Sequence, residues 1–136
     1  MLNAKDIVTK MIGNDFFSQW LGITILETGN GLSKLSLTVR KDMLNGFGIA
    51  HGGITYCLAD SALAFASNSY GDQCVSIETS ISHTAKVSEG DVLTATAKEL
   101  HRGKKIAIYE VMILNQEQKN VGLFKGTVFI TDKKWD

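Results

Sequence analysis

The sequence predicts an α+β fold in which an antiparallel sheet wraps one long helix. The first observation is the stretch 45–68, N-G-F-G-I-A-H-G-G-I-T-Y-C-L-A-D-S-A-L-A-F-A-S-N, a glycine-punctuated loop that runs into an alanine-rich segment. Between positions 43 and 70 its only formally charged side chain is Asp60, His51 aside. The second observation is that the segments around it read as strands, two before and four after, with turn signals between them. The third is that no internal repeat, linker or low-complexity segment divides the 136 residues, so 1–136 reads as one domain.

In chain order, residues 3–20 place Ile7, Val8, Met11, Ile12, Phe16, Phe17 and Trp20 at spacings of three and four. Such spacing predicts an N-terminal amphipathic helical segment, broken at Gly13-Asn14. Phe16, Phe17 and Trp20 read as core or lid residues packed on the sheet. Two strands follow, 21–26 and 32–39, joined at the Gly29-Asn30-Gly31 turn signal. Leu35, Leu37 and Val39 alternate with Ser36 and Thr38, the period of a half-buried strand. The loop 41–50 leads into a helix over 52–70. There Ala59, Ala62, Ala64 and Ala66 allow close approach to a sheet, while Leu58, Leu63 and Phe65 fill the core. Strands are then expected over 74–83, 92–100, 105–115 and 121–131. The run 106–114 is apolar on both faces apart from Glu110, which marks a central strand.

Composition removes several classes of function. With 14 basic and 14 acidic residues the net charge is zero, so no electrostatic footprint for nucleic acid is present. No stretch approaches the ~18 apolar residues of a membrane span. The opening M-L-N-A-K-D sets charges where a signal peptide has its apolar run. Cys57 and Cys74 form no CxxC and suggest no disulfide framework, and the plain expectation is a cytoplasmic protein. His51, His83 and His101 lack metal-site spacing, and neither G-x-S-x-G nor a phosphate loop occurs.

The candidate chemistry is concentrated in the central stretch. A carboxylate inside an apolar helix is costly unless paired, hydrogen-bonded or kept wet. Partial burial of Asp60 would raise its pKa toward that of a useful general base, and it could also act as a nucleophile. The competing reading is a surface or loop-capping aspartate. His51-Gly52-Gly53 at a helix start offers free N–H groups for a developing oxyanion, or simply a flexible entry with His51 as cap. The Asn45 amide can donate to a carbonyl or hold the loop through an Asx-turn. His51 and Asp60 are nine residues apart, about 13 Å along a helix, so they cannot easily serve one reacting atom within one chain. If they act together, Asp60 comes from a second subunit. Arg102, Gly103 and Lys104 form a basic turn that either meets phosphates or serves solubility.

Taken together, N-G-x-x-x-A-H-G-G-x(6)-D resembles the hotdog-fold acyl-CoA thioesterases, and within them the branch that acts in phenylacetic acid degradation. G-D-V-L-T-A-T-A at 90–97, H-R-G-K-K-I-A-I-Y-E at 101–110 and I-L-N-Q-E-Q-K-N-V-G-L-F-K-G at 113–126 extend the resemblance over roughly 40–130. It implies a hotdog fold, a homodimer with a continuous sheet, and commonly a homotetramer. It further implies hydrolysis of phenylacetyl-CoA or its ring-hydroxylated forms to acid and CoA, without metal or cofactor. By motif position Asp60 would attack the thioester or activate water, and the Gly52 N–H would polarise the carbonyl. Asn45 and His51 would orient the thioester, and Ser76 would help position water. Arg102, Gly103 and Lys104 would face the CoA phosphates. The strand after the helix departs from that branch: I-S-H-T-A-K-V-S-E-G-D replaces a segment with phenylalanine, leucine, arginine and proline. That bears on the acyl group and on nucleotide contacts near His83 and Lys86. The alternatives are a thioesterase for other short or medium acyl-CoAs, and a non-catalytic acyl-CoA-binding module.

Overall fold

The computed structural model describes residues 1–136. Asn3 opens the first helix, α1 (Ala4–Asn14), by accepting from the Asp6 N–H, while the Asp6 carboxylate takes the Asn3 N–H in return. Such a capping box satisfies two donors that a helix start otherwise leaves bare. The break falls at Asp15 rather than at Gly13-Asn14. The Asp15 carboxylate accepts from the Ser18 N–H and so starts a separate short helix, α2 (Phe16–Leu21).

The first strand begins later than its apolar run suggests. Leu21 is the last residue of α2, and Gly22 at φ 75° turns the chain in the left-handed region before β1 (Thr24–Gly29). A tight turn with Gly31 at φ 72° leads to β2 (Leu32–Thr38), which pairs with β1 antiparallel. A 3-10 turn at Lys41–Met43 and the glycine loop precede α3 (Gly52–Asn68). Four strands complete the chain: β3 (Asp72–His83), β4 (Val92–Arg102), β5 (Ile106–Leu114) and β6 (Asn120–Lys134). They form one antiparallel sheet of order β1-β2-β4-β5-β6-β3. β5 is interior, as its two-faced apolar run requires. This is the hotdog arrangement of a helix held in a curved antiparallel sheet.

α3 bridges from β2 to the opposite edge and lies on the concave face. Ala59, Ala62 and Ala66 are fully buried against the sheet, with Leu58, Leu63 and Phe65 between them. Period-2 alternation turns Leu93, Ala95 and Ala97 of β4 and Tyr109, Val111 and Ile113 of β5 toward it. The approach is closest at Gly126 of β6, where a Cβ would lie 2.5 Å from Cδ2 of Leu63.

Two surfaces remain open. Phe16, Phe17 and Trp20 do not pack on the sheet: they are 74%, 54% and 51% exposed. Ser18 and Leu21, three apart, are the residues that α2 turns inward, which leaves the aromatic positions on its outer side. Phe17 and Trp20 stack on each other at 6.0 Å, and the Arg40 guanidinium lies over the Trp20 ring. On the other side, β3 is an edge strand whose Val75 and Ile77 are more than half exposed.

Gly126→Ala should lower stability by about 1–3 kcal/mol, because Leu63 or the helix must move to admit the methyl group. Equilibrium urea unfolding checks this.

Candidate active site

The loop before α3 is built by side chains that also leave donors free. Asn45 Oδ1 accepts from the Phe47 N–H at 2.9 Å and the Ile49 N–H at 3.4 Å, an Asx-type turn. With the oxygen so engaged, the Nδ2 amide has no acceptor in the chain. Gly48 at φ 79° closes the loop, and the Asn45 N–H returns to the Ile49 carbonyl at 2.7 Å. Loop-holding and donation are therefore compatible in one residue.

His51 is the N-cap of α3. Its Nδ1 accepts from the Gly53 N–H at 2.8 Å, and its carbonyl accepts from the Ile54 N–H at 2.9 Å. Of the first three helical donors, only the Gly52 N–H is left without a protein acceptor. It sits at the positive end of a 17-residue helix, where an oxyanion is best held. Beside it, the Thr55 hydroxyl donates to the Gly52 carbonyl at 3.0 Å and lies 3.2 Å from His83 Nδ1. Thr55 thus links the start of the helix to His83 at the end of β3. The imidazole then covers the Cα of Gly52, with Nε2 3.1 Å from where a Cβ would stand. Asn45, Gly52, Thr55, His83 and Lys86 line one cavity of about 210 Å³.

Asp60 lies elsewhere. Eight residues into α3, it is about 12 Å from Gly52 along the axis. With Ser76 and Cys74 of β3 it lines a second, small cavity of about 50 Å³. Asp60 is half-buried and has neither a hydrogen-bond donor nor a cation partner in the chain. Burial, then the negative charge of Asp15, push its pKa above the ordinary aspartate value. The thiol of Cys57, one turn earlier, is pushed up by burial and by Asp60. A bare carboxylate with raised basicity is suited to accept a proton from water or to attack a carbonyl.

The basic turn is placed differently from its expected role. The Arg102 guanidinium points back into the fold, over the Tyr70 ring at 4.1 Å, and pairs with Glu99 at 3.5 Å and Asp72 at 4.0 Å. Its side chain is only 18% exposed. The Gly103 N–H is bonded to the Ile106 carbonyl at 2.8 Å. Lys104 alone of the three stands in solvent without a partner. Two neighbours of the site, Thr55 and His83, had no motif to announce them. The T at N4 of the helix and the H at the end of a strand meet only through tertiary structure.

Residues 47–121, more than half of the chain, match the family model described as the thioesterase superfamily. The chain belongs to that superfamily and is a thioester hydrolase. Within it, the chain is 41% identical to the acyl-coenzyme A thioesterase PaaI of Escherichia coli, over 85% of this chain and 83% of that one. The solved structure of the E. coli PaaI protein superposes with a TM-score of 0.94 at 37% identity, covering 96% and 95% of the two chains. A hypothetical thioesterase from Streptococcus pneumoniae, solved with coenzyme A, superposes at 0.80 with 29% identity over 83% and 91%.

The ionised form of Asp60 is disfavoured by its surroundings, so its contribution to stability is full below about pH 4 and is lost as pH rises through its raised folded value. Asp60→Asn should therefore raise Tm at pH 7, and the gain should vanish near pH 4. Thermal melts at the two pH values read the difference.

Proposed function

We propose that the protein is an acyl-CoA thioesterase that hydrolyses phenylacetyl-CoA or hydroxyphenylacetyl-CoA, with each active site shared between two subunits. The carrying observation is the separation of complementary parts: free carbonyl-directed donors at Asn45 and Gly52, and a bare carboxylate about 12 Å away at Asp60. One chain presents half of the machinery at each place. An isologous dimer brings residue i of one copy to residue j of the other, and does so twice. The exposed edge of β3, with Val75 and Ile77, supports pairing of the two sheets there. Outward-facing Leu100, Met112 and Leu123 offer a surface for assembly of dimers into a homotetramer.

In this reading the thioester carbonyl oxygen accepts from the Gly52 N–H and the Asn45 amide, which become better partners as charge develops on it. His51 holds the helix entry in shape. Asp60 of the partner subunit either attacks the carbonyl carbon, giving an anhydride that water then hydrolyses, or removes a proton from the attacking water, with Ser76 beside it on β3. The C–S bond breaks, the acid is released, and CoA leaves as the thiol with the proton. Lys104 and Lys86 are the exposed cations available to the CoA phosphates. The aryl-acetyl choice rests on the 41% identity to PaaI.

Free-thiol release from a panel of acyl-CoAs is expected to be fastest with phenylacetyl or hydroxyphenylacetyl esters, and Asp60→Asn should lower kcat about 10²–10⁴-fold. A faster aliphatic ester would replace the aryl assignment. Retained turnover in Asp60→Asn would refute the role of the carboxylate. For the shared site, Asp60→Asn and Asn45→Ala subunits mixed through refolding should recover roughly a quarter of wild-type activity, because a mixed dimer has one intact site.

A further inference from the structure

Asp15 stands at the junction of α1 and α2, outside the residues assigned to the reaction. Yet side chains tie it to the neighbourhood of Asp60. Its carboxylate accepts from the Ser18 N–H at 2.9 Å and from the Ser18 hydroxyl at 2.5 Å. The Ser18 hydroxyl in turn lies 2.8 Å from that of Ser61, the residue after Asp60. A serine hydroxyl has one hydrogen. Ser18 gives its hydrogen to Asp15, so Ser61 is the donor in the serine pair. The hydrogens therefore run from Ser61 to Ser18 to Asp15, away from Asp60. Ser18 is 1% exposed, and solvent has little access to reverse the order.

The other groups around Asp60 do not offset Asp15. Cys57 on α3 and Cys74 on β3 are thiols whose pKa values burial raises, so both stay neutral. β6 contributes Val128 to the same cavity. The Arg102 guanidinium, from β4, reaches the Ser67 carbonyl at the far end and is already paired with Glu99 and Asp72. What α2 adds is a fixed negative charge.

We propose that Asp15 is a positioning residue of the hydrolysis: the hydrogen bonds from Ser61 through Ser18 hold this second carboxylate against the turn of α3 that carries Asp60, making Asp60 the stronger base or nucleophile. This inference rests on the reading that Asp60 carries the reaction. It makes the six-residue α2 a working part of the site.

The test is the pH profile of kcat/KM for phenylacetyl-CoA hydrolysis by the wild type, Asp15→Asn and Asp15→Glu. Asparagine caps a helix as well as aspartate does, so α2 is retained. Without the charge the acid limb should move to lower pH by about half to one unit, as expected for a screened carboxylate pair. Asp15→Glu, which restores the charge, should keep the wild-type limb. A merely structural role would scale the whole profile and leave its limb in place, and that result overturns the proposal. NMR titration of the Asp60 carboxyl carbon in the wild type and Asp15→Asn gives the same comparison without turnover. An unchanged titration with turnover still dependent on Asp60 overturns this inference alone. A shifted titration with turnover independent of Asp60 overturns the catalytic reading and, with it, the role of Asp15.

Discussion

Enclosing a helix on its sheet-facing sides demands that it be nearly free of charge, and α3 meets that demand everywhere but at Asp60. The alanines at 59, 62 and 66 let the backbone settle onto the strands, and Gly126 gives way beneath Leu63. A carboxylate in such a helix would ordinarily be neutralised by a cation or by donors. Here neither is supplied. The nearby polar atoms are oriented elsewhere, and the one neighbouring charge, Asp15, is of like sign. The fold thus carries a locally unfavourable group at the centre of its most favourable element, the pattern expected where reactivity is kept at the expense of stability.

The two ends of α3 are treated in opposite ways. At the N-terminus, donors are selectively satisfied: His51 takes two of them and leaves the Gly52 N–H bare. At the C-terminus the polar groups are densely bonded. Asn68 receives the Cys74 N–H at 2.8 Å and the Trp135 indole N–H at 2.8 Å, and donates to the Ala64 and Cys74 carbonyls. Close by, Glu99 accepts from both Tyr70 and Tyr109, and Arg102 lies among them. The basic turn of the sequence is an anchor of this closed end. Side-chain hydrogen bonds cluster at one end of the helix, and the unpaired Asn45 and Gly52 donors line a cavity at the other.

Much of this was legible beforehand, for identifiable reasons. The helix and its sheet could be read because α3 is almost without charge and the strands keep an apolar run or a period of two, β5 burying Ala107, Tyr109, Val111 and Ile113 on one face. Asn45, Gly52 and Asp60 could be singled out because they are polar or glycine at positions where a core element does not need them. The boundaries at Asp15 and Gly22 escape the apolar spacing because a single side-chain cap decides the one and a left-handed glycine the other. The outward turn of Phe16, Phe17 and Trp20 was missed because Ser18 is buried in their place, held by a hydroxyl on a distant helix. The internal pairing of Arg102 is only half legible, because Glu99 stands three residues before it on β4 while Asp72 lies far off in sequence, on β3. Local pattern reports periodicity well and reports long-range pairing hardly at all.

The twelve residues of β3 end the sheet with an unpaired edge and only one formally charged side chain, Glu78, between Cys74 and Ser82. Natural proteins usually blunt such an edge with lysine, proline or a bulge that twists it away. This chain has no proline anywhere; β3 does shift register against β6 between Asp72 and Cys74 and between Ser76 and Glu78, yet its edge keeps Val75 and Ile77 in the open. A newly made single subunit is therefore adhesive toward any extended segment it meets, including those of unfolded neighbours. Under the proposed pairing of two sheets at this edge, concentration acts in two directions during biogenesis: a second subunit caps the edge, and unfolded chains compete for it. Mutations that slow folding of the chain would be felt first as insolubility, before any loss of catalytic competence in the molecules that do fold.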